Sequence, residues 1–237
     1  MAKQVTKYES DGATPAASLY DEGTVQDGAA TTARRIWWKN MSTAAESLSG
    51  CRCRRVASAG NDGIDMLQIA ADAPLADPGA PSGAAVSGFG LEVGDYHYKV
   101  TFVTANGETV AGTVSATITT TGGNQQVDLT GIPTGPAGTT QRKIYRTAVG
   151  GSTYKLAGTI ANNTATTLSD TTPDASLGVE PPTLNTSGSA GTWGTANVTI
   201  GELAVGAYAA CWMRYNVLAD TSEVGNDRLA YVQFEET

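Results

Sequence analysis

Charged residues are scarce in this sequence. Asp, Glu, Lys and Arg make up 16% of its 237 residues, well below the roughly 25% of an ordinary soluble domain. Histidine occurs once, as His97. A serine or cysteine nucleophile needs a base beside it, and a lone imidazole between Tyr96 and Tyr98 reads instead as an outward residue of a strand. No G-x-x-x-x-G-K-[ST] loop is present to cradle phosphate. Ser152-Thr153-Tyr154-Lys155 matches S-x-x-K but lacks the partner motifs that make it catalytic. Asn61-Asp62-Gly63-Ile64-Asp65 resembles part of a calcium loop without its distal glutamate, and reads as a turn around Gly63. No catalytic, cofactor-binding or metal-binding residue is assigned, and an enzyme is not expected.

Other classes fall to other absences. No run of about 18 apolar residues occurs, so no membrane-spanning helix is expected. The first seven residues carry lysines with no apolar segment behind them, so no secretory leader is expected either. The net charge of −8 repels a phosphate backbone, so nucleic acid is not an expected partner. Arg52, Arg54 and Arg55 form one short basic cluster, read as a solvated or inter-subunit face. Three cysteines cannot all pair within one chain, which excludes a disulfide scaffold. Cys51 and Cys53 stand too close on one strand to bridge each other. The expectation is three reduced, partly buried thiols, with a bridge from Cys51 or Cys53 to Cys211 or to a neighbouring subunit as the alternative. C-x-C spacing with one distant histidine does not suit zinc.

What is abundant is glycine, with 28 residues, together with Ala, Thr and Ser. That mixture suits short strands and tight turns, because Thr and Val favour pleated surfaces and Gly supplies positive φ. Two Pro/Gly-rich stretches, residues 77–83 and 180–188, read as linkers that bracket a module. Inside it, strand-like stretches at residues 86–89, 96–105, 109–119, 125–129, 142–147, 153–160 and 164–169 are separated by turn signals such as Asn106-Gly107 and Gly150-Gly151. Seven short strands in about 100 residues indicate an immunoglobulin- or fibronectin-like sandwich.

The remaining segments are each too short to fold alone. Strand-like stretches at residues 35–39, 48–56 and 64–70 need those at 197–200, 207–217 and 228–235. The expected fold is therefore all-β: an immunoglobulin/fibronectin-like sandwich, residues 83–183, inserted into a discontinuous jelly-roll-like sandwich, residues 31–78 plus 188–237. Residues 1–30 are polar and lack periodicity, and read as an extended N-terminal arm. Tyr8, Leu19, Tyr20 and Val25 are its apolar anchors, expected to lie across a neighbouring subunit. Trp37 and Trp38 are adjacent on a strand and must face opposite sides, so one is expected in the core and the other exposed or covered by a neighbour. An exposed indole would offer a stacking surface for sugar.

The inserted module resembles the immunoglobulin- or fibronectin-like repeats of tailed-bacteriophage structural proteins. The resemblance rests on Gly94-Asp95-Tyr96-His97-Tyr98-Lys99-Val100-Thr101-Phe102-Val103-Thr104, on Gly107-Glu108-Thr109, on Arg142-Lys143-Ile144-Tyr145-Arg146-Thr147, read as a Tyr-bearing strand with positive edges, and on residues 162–170. The flanking module is similar to such virion modules through Trp37-Trp38-Lys39-Asn40 and Trp212-Met213-Arg214-Tyr215-Asn216-Val217. The resemblance implies a structural component of a tail, baseplate or neck, or a head-decoration protein, with no catalytic residues. It implies copies of itself and other virion proteins as partners, and a place in the virion after assembly in the host cytoplasm. A carbohydrate-binding or adhesin module that takes a host-surface glycan on exposed aromatics is the rival reading.

Overall fold

A computed structural model of the chain describes residues 5–8, 30–42, 47–56, 67–215 and 231–235. Its regular structure there is strand, apart from one 3-10 turn at Asp174–Ser176, and every strand pair is antiparallel. The chain forms two compact units, one made of Met1–Ala73 with Ser189–Thr237 and the other of Pro74–Gly188. In chain order, the first unit opens with β1 (Val5–Tyr8), β2 (Arg34–Asn40), β3 (Leu48–Val56) and β4 (Leu67–Ala73). The second unit supplies β5 (Ser82–Val86), β6 (Gly94–Tyr96), β7 (Tyr98–Thr104), β8 (Gly107–Glu108), β9 (Ile118–Thr120), β10 (Gln126–Thr130), β11 (Gln141–Thr147), β12 (Tyr154–Ile160) and β13 (Leu168–Asp170). The first unit then resumes with β14 (Ser189–Ala190), β15 (Val198–Leu203), β16 (Tyr208–Tyr215) and β17 (Tyr231–Glu235).

The first unit has a five-stranded sheet, β1-β2-β16-β4-β14, and a three-stranded one, β15-β3-β17. Strand alternation sorts β2 cleanly. Ile36 and Trp38 join Leu67, Ile69, Cys211, Met213 and Tyr215 in a core that takes Cys53, Val198, Ile200 and Phe234 from the other sheet. Arg35, Trp37 and Lys39 face the opposite way. On β3 the inward residues are Leu48, Cys51 and Cys53, a spacing of three and then two. Gly50, at φ 62°, absorbs the extra residue.

Two expectations about this unit change. The N-terminal segment contains a strand of its own chain: β1 pairs along β2 with Tyr8 opposite Trp37, so these four residues extend their own sheet. Leu19, Tyr20 and Val25 lie outside the described residues, as do Asn61 to Asp65. Trp37 and Trp38 are both buried, at 4% exposure each, which corrects the expectation that one of them is exposed or covered only by a neighbour. Trp38 stacks at a tilt on Phe234, 5.7 Å between centroids. Trp37 lies on the other face, edge-on to Tyr208 and under the Arg35 guanidinium.

In the second unit the sheets are β12-β11-β7-β8, β13-β10-β5 and β6-β9. Their inner faces share a core of Leu91, Tyr96, Tyr98, Val100, Ile118, Val127, Leu129, Ile132, Ile144 and Ile160. Packing of sheet on sheet in this way is consistent with the β-sandwich class. Two local expectations fail. Residues 109–117 were expected in a strand, but only Ile118–Thr120 forms one. Thr109, Gly112 and Ser115 donate to the carbonyls of Phe102, Val100 and Tyr98, three residues advanced for every two on β7, so no regular ladder forms. Residues 86–89 do not make a strand either; β5 ends at Val86 and Phe89 sits on a loop.

A strap completes this unit. Gly178 donates to Leu156 O and Val179 O accepts from Leu156 N on β12, while Thr186 N donates to Glu108 O on β8. The segment between, with Pro181 and Pro182, thus joins the two opposite edges of the four-stranded sheet. The extended geometry that proline imposes gives it the reach.

Candidate interaction surface

The buried charged side chains of the second unit, Glu108, Arg142, Arg146 and Asp170, are consumed inside it. On β11, Arg142, Ile144 and Arg146 share the inward face, and both arginines are at 0% exposure. This corrects the reading of that strand as one with positive edges. Arg146 Nε meets Asp170 Oδ2 at 2.8 Å and its NH1 meets Asp174 Oδ1 at 2.6 Å. It also donates to the carbonyls of Thr147 and Thr172 and lies 4.9 Å from the Tyr96 ring centroid. Burial, the largest effect, works against its charge, but the bonds to Asp174 and the charge of Asp170 outweigh it and raise its pKa. Tyr98 donates to Asp170 Oδ2 at 2.9 Å. Burial and then the Asp170 charge push that phenol far above its ordinary range.

Arg142 has no carboxylate. Its donors go to the carbonyls of Asn162, Pro133 and Ala165, tying two loops to β11, and burial lowers its pKa. A third cluster gathers on Glu108, which accepts from Thr101 Oγ1 at 2.6 Å, Lys143 Nζ at 2.6 Å and Tyr145 OH at 2.8 Å. In the first unit, Arg35 Nε stands 3.1 Å from Asp72 Oδ1, and Trp212 Nε1 donates to the same oxygen at 2.7 Å. The guanidinium lies 4.7 Å from the Trp212 ring centroid. Burial lowers the Arg35 pKa and raises that of Asp72 despite their mutual attraction, as happens when desolvation exceeds Coulombic gain. These groups brace the fold: both oxygens of Glu108, Asp170 and Asp174 are taken by neighbours in the same unit, as is Oδ1 of Asp72.

The remaining sequence-selected residues are also placed. Cys51, Cys53 and Cys211 are buried among the core side chains and form no disulfide within the chain. His97 sits between β6 and β7, its backbone bonded both ways to Thr147. Arg55 donates to the carbonyls of Thr195 and Leu67, and Arg54 to Gln233, so the basic cluster is partly spent on its own unit. Trp193, half-buried, stacks with Arg214 at 4.4 Å. Among the described residues no group of three or more His, Cys, Asp or Glu could hold a metal ion, and no helix is long and apolar enough to cross a membrane.

Large apolar side chains also face water on held backbone. Phe89 is 78% exposed and Val93 57% exposed, on one loop between β5 and β6. Gly88 N donates to Gly123 O, Gln125 N to Gly88 O and Leu91 N to Gln125 O. The Gln125 amide donates to Leu91 O, and Leu91 itself is buried in the core. Farther along, Glu92 O accepts from Tyr96 OH and Thr120 Oγ1. Gly90, at φ 138°, approaches the Thr171 backbone so closely that a Cβ would strike its carbonyl. The Phe89 ring therefore projects from a loop with little freedom to retract. Sequence periodicity could not find it, because it assigned Phe89 to a strand; the local sign was the Gly88-Phe89-Gly90 triplet.

The first unit shows a smaller counterpart. Met41 and Val205 are 40% and 43% exposed, at adjoining turns stitched by Asn40. Asn40 accepts from Gly206 N, and its side chain donates to Leu203 O and accepts from Ser42 N.

Compared with known proteins, the chain matches no family model, no curated protein and no solved structure.

Proposed function

We propose that the chain is a non-enzymatic structural component of a multi-subunit particle, assembling through protein–protein contacts. The observation that carries this reading is Phe89, a large aromatic held out in water by a loop that is hydrogen-bonded on both flanks. Aromatic side chains dominate contact energies, and a preformed loop has little conformational entropy left to lose on binding. The consumption of Arg146, Glu108 and Asp72 in structural clusters supports a scaffold over a reaction site. The resemblance of residues 94–104, 107–109, 142–147 and 162–170 to tailed-bacteriophage modules supplies the particle: a virion tail, baseplate or neck, formed in the host cytoplasm. An immunoglobulin/fibronectin-like sandwich displayed from a discontinuous jelly-roll-like one belongs to the same proposal. For the sugar-binding rival, the burial of both Trp37 and Trp38 removes these two indoles as a stacking surface.

The test is biochemical. Particles are purified on density gradients from cells that produce the chain, then examined by quantitative mass spectrometry and gold-labelled antibody. A fixed copy number per particle supports the proposal. Recovery only in the free soluble fraction refutes it.

A further inference from the structure

We infer that the Asn106-Gly107 turn is a self-modifying site: in the folded chain Asn106 loses ammonia to become aspartate or isoaspartate, and the isoaspartate form releases the strap from β8. Asn-Gly occurs once in the 237 residues. Ala105 and Asn106 are exposed at the tip of the hairpin that joins β7 to β8. The Asn106 backbone donates to Thr104 Oγ1, while its side-chain amide makes no hydrogen bond among the described residues. Asn40, Asn162, Asn163 and Asn185 differ, since each has its side chain bonded to backbone. Gly107 carries no side chain that would shield its nitrogen. A Cβ there would strike Thr186, so Gly107 is packed on the strap. Its nitrogen is held still while the free amide beside it swings, and the two reacting groups already belong to one chain, which spares them a bimolecular encounter.

The step balances with water as the only co-reactant. The Gly107 nitrogen gives up its proton and bonds to Asn106 Cγ; the bond from Cγ to the amide nitrogen breaks, and ammonia leaves with that proton. Water then opens the resulting succinimide at either carbonyl. One opening gives aspartate on an unchanged backbone. The other gives isoaspartate, whose main chain runs through Cβ and is longer by that atom. β8 meets β7 through only Val103 with Glu108 and Thr104 with Gly107, and the strap depends on the same residues. Thr186 donates from N and Oγ1 to Glu108 O, Glu108 N donates to Thr186 Oγ1, and Thr104 Oγ1 donates to Ser187 O. With no room to spare between Gly107 and Thr186, a lengthened turn drives them apart. The far end of the strap, Gly178 and Val179 on Leu156, keeps its bonds. Return to the amide would need ammonia, so released straps accumulate with the age of the molecule.

The full chain is held in neutral buffer below its melting temperature and sampled over weeks. Liquid chromatography with mass spectrometry of proteolytic peptides separates asparagine, aspartate and isoaspartate at each position. Both products should accumulate at position 106 ahead of positions 40, 162, 163 and 185, and Asn106→Gln should abolish them there. Hydrogen exchange of the isoaspartate fraction should be several-fold to about tenfold faster at the Thr186 amide, the range expected for one lost hydrogen bond, and unchanged at Gly178. Freshly made Asn106→Asp has the charge without the longer backbone and should exchange like the starting chain. A folded chain in which Asn106 lasts as long as those other asparagines would overturn the site. Isoaspartate with Thr186 still protected, or an Asn106→Asp chain that exposes Thr186 equally, would overturn release by lengthening.

Discussion

Arg142 and Arg146 face the same way on one strand and resolve their burial differently. Replacing Arg146 with methionine leaves the Asp170 carboxylate, fully buried, without its counter-charge, at a cost of about 3–5 kcal/mol. Replacing Arg142 with methionine strands three carbonyls but no charge, at a cost of about 1–3 kcal/mol. Urea denaturation of the full chain should rank Arg146→Met as the more damaging change, and the opposite ranking would refute the distinction. The tyrosines give a second prediction. Burial raises the pKa of Tyr96, Tyr98, Tyr145 and Tyr154 alike, reinforced by Asp170 at Tyr98 and Glu108 at Tyr145. Because the folded values lie above the unfolded value of about 10, the stability tied to these groups is whole below that pH and is lost as pH rises past it. Phenolate absorbance from this unit should appear together with loss of its circular dichroism, not before. Neither network was legible beforehand. Arginine alternating with Ile144 looks like a solvent face, and Asp170 lies 24 residues from Arg146, beyond the reach of any local pattern.

Among the elements, local alternation found strands where pairing is regular and misplaced them where it is not. The stretches at residues 96–105 and 142–147 overlap β6, β7 and β11 because side chains there alternate between two packed faces. Residues 109–117 are richer still in Val and Thr, but their three-for-two advance along β7 breaks the ladder, and composition does not encode that advance. The loop of Phe89 has the same lesson in its glycines. Gly90→Ala forces an L side chain to φ 138° and against the Thr171 carbonyl, so a loss of about 1–3 kcal/mol is expected. Gly122→Ala, where the added methyl meets open space, should change stability by less than about 1 kcal/mol. Thermal melts that cannot separate the two variants would show that the loop yields easily, and with it the argument that Phe89 is held.

For the whole molecule, the decisive feature is where the chain leaves the first unit and returns. Ser189 pairs directly with Ala73, so β4 and β14 are adjacent strands whose connection is the entire second unit. The ends of that unit are themselves tied, Leu75 N to Ser187 Oγ and the Asn185 amide to Leu75 O. Replacing residues 74–188 by a two-residue Asn-Gly turn should therefore leave a folded first unit that melts cooperatively, checked by circular dichroism and calorimetry. A product without a cooperative transition would show that its core depends on the insert. The Pro/Gly-rich stretches at residues 77–83 and 180–188 lie near the unit boundaries at Pro74 and Gly188, as a chain passing between units sheds periodicity. The first begins at Asp77, later than the structural boundary at Pro74, because residues 74–81 already belong to the second unit, where Pro78 O accepts from Thr113 N. The single-hairpin attachment also governs mechanics. In modules strung end to end, tension at the chain termini passes through every one of them. Here a pull on the two termini is borne by the first unit, and the second stays slack until β4 or β14 tears away. The inserted unit would keep its shape, and whatever it displays, while its host is stretched.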